Sequence, residues 1–140
     1  MANTQLSDAT HIMVYIALHD DENLKSDRIA SSLNTDATLV RRIMGKLKKH
    51  GLLVSTRGVA RPTIAHDVRQ ITLKDIYLAV TTKRNLLNVD TNTSDTCSVG
   101  TVIPKVMDHY YQEIQSSAEA RMDKISLQNI IDDVQMYQEK

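Results

Sequence analysis

Residues 34–51 read Asn-Thr-Asp-Ala-Thr-Leu-Val-Arg-Arg-Ile-Met-Gly-Lys-Leu-Lys-Lys-His-Gly, and this stretch decides the fold. Its apolar side chains recur every three or four residues, which is the spacing of one helix face: Val40, Ile43, Met44 and Leu47. The other sides carry the basic residues Arg41, Arg42, Lys46, Lys48 and Lys49. Asp36 is the expected N-cap and Gly51 the expected stop signal. The pattern therefore predicts a helix over residues 36–50 that is buried on one side and basic on the other.

A second short helix is predicted immediately before the basic helix. Ser26 is the expected cap, and the apolar stripe consists of Ile29, Ala30 and Leu33. Asn34 and Thr35 then form a tight turn. Two short helices joined by such a turn, the second of them basic, are typical of a helix-turn-helix. The apolar spacing over residues 6–19 predicts one further helix ahead of this pair.

A small β-hairpin is predicted directly after the basic helix. Residues 52–56 are strand-like, and residues 63–65 can return beside them. A hairpin in this position is a wing, and its loop carries Arg57 and Arg61, which we expect to face phosphates or a minor groove. Thr72 is then expected to open another helix, over residues 73–81, with a capping box.

The C-terminal part of the sequence predicts a polar loop followed by two helices. Residues 88–98 are short-chained and polar, whereas residues 103–124 form a long helical pattern with Pro104 in its first turn. The apolar residues of this pattern follow a near-heptad spacing and are the predicted dimer interface: Ile103, Met107, Tyr110, Ile114, Ala118 and Met122. The alternative is that this helix packs on its own domain. Ser126 is expected to cap the last helix.

Length and composition limit the class of protein. With 140 residues, of which 41% are hydrophobic and 24% charged, the chain is expected to be globular. Its low content of Gly and Pro favours a mainly α fold with only a small hairpin wing. We expect three segments: a winged helix-turn-helix DNA-binding domain at 1–82, a mobile loop at 83–98, and a helical dimerisation segment at 99–140. The absence of a long apolar run predicts a cytoplasmic protein with no membrane partner.

The charge distribution is uneven although the net charge is zero. Residues 37–66 contain seven Lys and Arg residues and no Asp or Glu, so the rest of the chain carries a charge of −7. Such a division creates a positive face, and phosphate is the usual partner of a positive face. Double-stranded DNA is therefore the expected partner.

The chain between residues 24 and 80 resembles the Rrf-type family of bacterial winged helix-turn-helix transcriptional regulators, which contains IscR, NsrR and CymR, and its YwnA-like branch in particular. The matching segments include Ile29-Ala30, Asn34-Thr35-Asp36, Val40-Arg41-Arg42-Ile43, Lys46-Leu47, Gly51-Leu52 and the run from Ile71 to Ile76. Cys97-Ser98-Val99-Gly100, followed by a long helix, is similar to the family's C-terminal half. This resemblance implies a homodimeric regulator, most often a repressor, that binds a near-palindromic operator. The family's wing is commonly Gly-rich, whereas this loop holds only Gly58.

No cofactor and no metal site are expected. Cluster-binding members of the family use three closely spaced cysteines, whereas this chain has only Cys97, so the resemblance implies that iron–sulfur chemistry is absent. The five histidines lack the spacing of metal ligands. Cys97 has two interpretations, a redox sensor or a half-buried structural thiol. The scarcity of nearby cations, Lys105 apart, favours the structural thiol.

The predicted DNA-binding residues divide by their chemistry. Arg41 and Arg42 can reach base edges, where arginine pairs with guanine, and Thr38 can bond a base or a phosphate. The complete predicted set is Ser26, Arg28, Asp36, Thr38, Arg41, Arg42, Lys46, Lys49, Arg57 and Arg61. A winged-helix protein-interaction module is the alternative function. An enzyme is not expected, because the sequence shows no glycine-rich phosphate loop, no Ser-His-Asp arrangement and no pair of carboxylates in an apolar setting.

Overall fold

The structure is a computed structural model and describes residues 4–19, 24–55 and 62–139. Within these ranges the elements are α1 (Gln5–Leu18), α2 (Ser26–Leu33), α3 (Ala37–Lys49), β1 (Leu53–Ser55), β2 (Pro62–Ile64), α4 (Leu73–Val80), α5 (Ile103–Met122) and α6 (Leu127–Gln138). The predicted fold class, mainly α with a small hairpin in a winged helix-turn-helix, is confirmed. None of the described helices is both long and apolar enough to cross a bilayer.

The turn between α2 and α3 is made by local backbone chemistry. Asn34 adopts the left-handed conformation with φ of 55°, and the Thr35 N–H donates to the Ala30 carbonyl at 3.0 Å, which ends α2. The Asp36 side chain then accepts a hydrogen bond from the Leu39 N–H at 2.9 Å, which caps α3. The prediction that Ser26 caps α2 is wrong, because the N-cap is Lys25 and Ser26 is the first helical residue.

A glycine ends α3 and directs the chain into the hairpin. Gly51 has φ of 76°, and the Leu52 N–H donates to the Leu47 carbonyl at 3.0 Å. β1 and β2 then pair antiparallel, with Leu53 opposite Ile64. The predicted wing loop, with Arg57 and Arg61, lies outside the described residues.

One hydrophobic core joins the first four helices to the last one. α1 packs against α2, α3, α4 and α6, and α3 also packs against α4. Ile12, Leu47 and Leu127 have no exposed surface, and burying each such side chain contributes about 1.5–3 kcal/mol. Thus α6, which the sequence division places in the dimerisation segment, belongs to the same core as the helix-turn-helix. We call the unit formed by α1–α4, β1, β2 and α6 the winged-helix body.

α5 differs from the other helices because none of its apolar residues is buried. It follows residues 81–102, which form neither helix nor strand, and it packs against α4. Its one buried side chain is that of Glu119. Val106 and Tyr110 in its N-terminal half are exposed.

Replacing Leu127 tests whether α6 is part of the core. We expect Leu127→Ala to lower the free energy of unfolding by about 2–5 kcal/mol, because the substitution leaves a cavity among fully buried side chains. Met136→Ala is the matched control, since Met136 lies on the same helix and is half exposed. Urea unfolding followed by circular dichroism measures both changes. Equal, small losses for the two variants would contradict the placement of α6.

Candidate nucleic-acid interface

The candidate interface is the outward side of α3. Val40, Ile43, Met44 and Leu47 are buried on the inner side, whereas Arg41, Arg42, Lys48 and Lys49 are exposed. Arginine and lysine keep their charge at neutral pH, so the outer side of this helix is positive. The three lysines near the C-terminal end of α3 also favour the helix, because its last carbonyls carry partial negative charge.

No carboxylate among the residues that the structure describes forms an ion pair with the basic side chains of α3. In the described ranges, ion pairs join Arg69 to Asp67, Arg84 to Glu119, and His109 to Glu113, and none involves a residue of α3. Because no internal partner is present there, the positive charge of α3 is available to an external anion. This agrees with the absence of acidic residues between positions 37 and 66.

Two residues of the predicted base-contacting group lie in contact. The Arg41 guanidinium donates a long hydrogen bond of 3.5 Å to the hydroxyl oxygen of Thr38, one turn earlier on the exposed side of α3. Arg42 follows directly and is also exposed. The first two turns of α3 therefore present two guanidinium groups and a hydroxyl group next to one another.

Lys46 is placed differently from the expectation of an outward side chain. It is half-buried, and its ammonium group donates to the side-chain oxygen of Gln5 at 3.0 Å. Lys46 thereby connects α3 to the start of α1. Sequence patterns gave no signal for Gln5, because it lies 41 positions away from Lys46.

The remaining predicted contacts occupy the start of α2 and the cap of α3. Arg28 is exposed in the first turn of α2, while Ser26 is half-buried at the first helical position. Asp36 is exposed, and its carboxylate is already used to cap α3. The observed role of Asp36 is to cap α3, and its contact with DNA stays a prediction.

Cys97 lies in the irregular segment before α5. The thiol is exposed, so the expectation of half-burial is wrong. Hydrogen bonds from the backbone N–H groups of Gly100 and Val99 lower the pKa of the Cys97 thiol, because they stabilise the thiolate. Its role as a redox sensor stays a prediction.

The described residues contain no group of three or more His, Cys, Asp or Glu side chains arranged to hold a metal ion. The 140-residue sequence contains a single cysteine. An iron–sulfur cluster of the type that needs several cysteine thiolates therefore does not fit this chain.

The fold and the basic helix together define a class, the winged helix-turn-helix transcriptional regulators. Residues 2–133 match the model of the Rrf2 family, whose description is iron-dependent transcriptional regulator. The chain belongs to the Rrf2 family. The predicted resemblance and the assignment to regulators rather than enzymes are thereby confirmed.

Individual relatives agree with this assignment. YwnA of Bacillus subtilis (strain 168), assigned as an HTH-type transcriptional regulator, is 33% identical over 131 residues, which are 94% of this chain and 97% of YwnA. A crystal structure assigned to a DNA-binding protein is 30% identical with a TM-score of 0.74, and the match covers 91% of this chain and 98% of that one.

Two more distant solved structures share the fold. IscR of T. potens is 21% identical with a TM-score of 0.72, and the match covers 99% of this chain and 90% of IscR. CymR (YrzC), the global cysteine regulator of B. subtilis, is 17% identical with a TM-score of 0.68, and the match covers 94% of this chain and 96% of CymR.

Substitution of Asp36 separates its capping role from its charge. We expect Asp36→Ala to lower the free energy of unfolding by about 1 kcal/mol, because the Leu39 N–H loses its acceptor. Asp36→Asn is the matched control, since asparagine caps equally well without a charge, and it should stay within a few tenths of a kcal/mol of the unchanged protein. Urea unfolding of both variants provides the measurement. Equal losses would show that charge, not capping, matters here.

Proposed function

We propose that this protein is a homodimeric, sequence-specific repressor that binds a near-palindromic operator in the bacterial cytoplasm. The observation that carries the proposal is the outward side of α3, where four exposed basic residues face away from a buried apolar stripe with no acidic partner among the described residues. In a helix-turn-helix protein, the exposed side of the second helix binds double-stranded DNA, which is a polyanion.

The proposed contacts follow from position on α3. Arg41 and Arg42 lie in its first two turns and read base edges in the major groove, with Thr38 beside them. Lys48 and Lys49 lie in the last turn and contact phosphates, which adds affinity without sequence preference. Arg28 and the first turn of α2 contact a neighbouring phosphate.

The wing completes the proposed set of contacts. Arg57 and Arg61 are included in this set because of their position in the sequence alone, since both lie outside the described residues. Lys46 makes a smaller contribution than its neighbours, because its ammonium group is engaged by Gln5.

The proposed dimer forms through α5. Of the predicted interface, Tyr110 and Ile114 are 54% and 48% exposed, while Ile103, Met107, Ala118 and Met122 are half-buried. Val102 and Val106, next to this seam, are also exposed. A continuous row of exposed apolar side chains along one helix marks a surface that a partner covers, and a second copy gives the two-fold symmetry that a palindromic operator requires.

A winged-helix protein-interaction module remains the second candidate. It needs no particular charge on α3, and it would tolerate replacement of the exposed arginines without loss of its partner. The test of Arg42 below therefore separates the two functions.

Reversing the charge at position 42 tests the DNA-binding helix. We expect Arg42→Glu to weaken binding to the native operator by more than about tenfold, because a base contact is lost and a carboxylate faces the phosphates. Fluorescence anisotropy measures the affinity for duplex DNA from the region flanking the protein's own gene, at two salt concentrations. A shuffled duplex of equal composition reports the non-specific component.

The control for this experiment is Lys124→Glu, which makes the same change in charge outside α3 and the wing. Circular dichroism and sedimentation should show that both variants are folded and retain the subunit state of the unchanged protein. Unchanged operator binding by Arg42→Glu would contradict the assignment of α3 as the recognition helix.

Placing a charge in the apolar row of α5 tests the dimer. We expect Ile114→Glu to shift the protein from dimer to monomer, raising the dissociation constant by more than about tenfold, because an interfacial carboxylate would be desolvated without a partner. Sedimentation equilibrium measures the shift. Lys105→Glu, on the same helix at a position already charged, is the control and should stay dimeric. A monomeric unchanged protein would refute the proposed dimer outright.

A further inference from the structure

The one buried charged side chain in the described residues is Glu119, which is 4% exposed and belongs to α5. Burying a carboxylate costs several kcal/mol unless it is paired and hydrogen-bonded. Neither the contacts proposed for DNA nor the apolar row of α5 uses this residue. The side chains that bond to Glu119 therefore indicate its structural role.

Two side chains hydrogen-bond to Glu119, and one of them also bonds a side chain of α4. The Arg84 guanidinium donates to both carboxylate oxygens, and its Nε lies 3.1 Å from Oε2. The Gln115 amide donates to Oε2 of Glu119 at 2.8 Å and to the hydroxyl oxygen of Tyr77 on α4 at 2.9 Å. We call Tyr77, Arg84, Gln115 and Glu119 the polar junction.

The centre of the polar junction is the hydrogen-bonded ion pair of Arg84 and Glu119. Hydrogen bonds from Arg84 and then from Gln115 lower the pKa of Glu119, and the same ion pair raises the pKa of Arg84. The side-chain oxygen of Gln115 accepts a hydrogen bond from the Leu86 N–H at 2.9 Å. The junction therefore holds the segment after α4 against α5 by directional bonds.

A second attachment lies beyond the C-terminal end of α5. The Leu73 N–H donates to the Ile125 carbonyl at 2.8 Å, and the Leu127 N–H donates to the Ile71 carbonyl at 2.7 Å. These backbone bonds join the turn between α5 and α6 to the start of α4. The polar junction and these backbone bonds thus attach the C-terminal part of α5 and the turn after it, whereas the exposed apolar row extends from Val102 to Ile114.

Two attachment points fix the direction of the α5 axis relative to the winged-helix body. With a rise of about 1.5 Å per residue, Val106 lies about 24 Å from Met122 along α5, so a tilt of about 10° about the C-terminal end moves Val106 by about 4 Å. In a dimer built on α5 the same tilt displaces each winged-helix body, and the shift is comparable with the rise of one base pair, about 3.4 Å. α4 bears Tyr77 and packs directly against α3.

We propose that the polar junction sets the angle between α5 and the winged-helix body, and thereby the separation of half-sites that the dimer accepts in its operator. Arg84, Gln115 and Glu119 act as positioning residues, because their bonds join α5 to α4 and to the segment after α4, and none of them belongs to the proposed set of DNA contacts. The inference rests on the proposed function, since it requires a dimer that reads two half-sites.

The test first selects duplexes from a random-sequence pool with the unchanged protein. The selected palindrome is then lengthened or shortened at its centre by one or two base pairs, and affinities are measured by anisotropy. We expect the unchanged protein to prefer the selected spacing by more than about tenfold, and Arg84→Ala to reduce that preference to within about threefold or to move it to another spacing.

Two further variants complete the test, one as a control and one as a second change in the polar junction. Arg69→Ala breaks the exposed ion pair with Asp67 and should leave the spacing preference unchanged. Glu119→Gln removes the negative charge of the junction but keeps the size of the side chain. If Arg84→Ala does not form a dimer, the spacing preference of Glu119→Gln is compared with that of the unchanged protein instead. The salt dependence of binding should be the same in all variants, because no phosphate contact is removed.

The outcomes are distinguishable. Dimeric variants with the same spacing profile as the unchanged protein would overturn the inference while leaving the proposed function intact. Failure of the unchanged protein to select any palindrome would overturn the proposed function, and this inference with it. A relaxed or shifted spacing in Arg84→Ala, with an unchanged profile in Arg69→Ala, supports the inference.

Discussion

The burial of one side of α3 is the constraint on which the rest of the structure depends. Val40 and Leu47 have no exposed surface, and α1, α2 and α4 all pack against this helix. Because the apolar stripe must face the core, the arginines and lysines must face outward. Rotating α3 by one residue would bury a charged group without a partner, at a cost of several kcal/mol. The core therefore sets the direction of the positive surface.

The winged-helix body and α5 are held in place by different forces. The winged-helix body depends on apolar burial, which is strong but places few demands on exact angles. α5 buries no apolar side chain and is held by the ion pair and hydrogen bonds around Glu119 and by backbone bonds beyond its end. Such bonds are directional, so they are suited to setting an angle between two units.

Agreement between sequence and structure is closest where the chemistry is local. The caps at Asp36 and Ser126 and the capping box at Thr72 were predicted from residue type and spacing, and each is observed. The start of α2 was misassigned because Ser26 is a common cap residue, yet the N-cap position falls one residue earlier at Lys25, which makes no side-chain cap. The DNA contacts themselves depend on an external partner, and they remain proposals.

By itself, the sequence determined the helices, their apolar stripes and the basic side of α3, because caps and periodicity act over a few neighbouring residues. Only the tertiary structure decided that α6 joins the core, that Lys46 bonds Gln5, and that Arg84 pairs with Glu119. The last two contacts join residues 41 and 35 positions apart, with no spacing rule to connect them. They exist because the packing of the helices brings distant polar side chains to the same place, where the buried carboxylate of Glu119 in particular requires a partner.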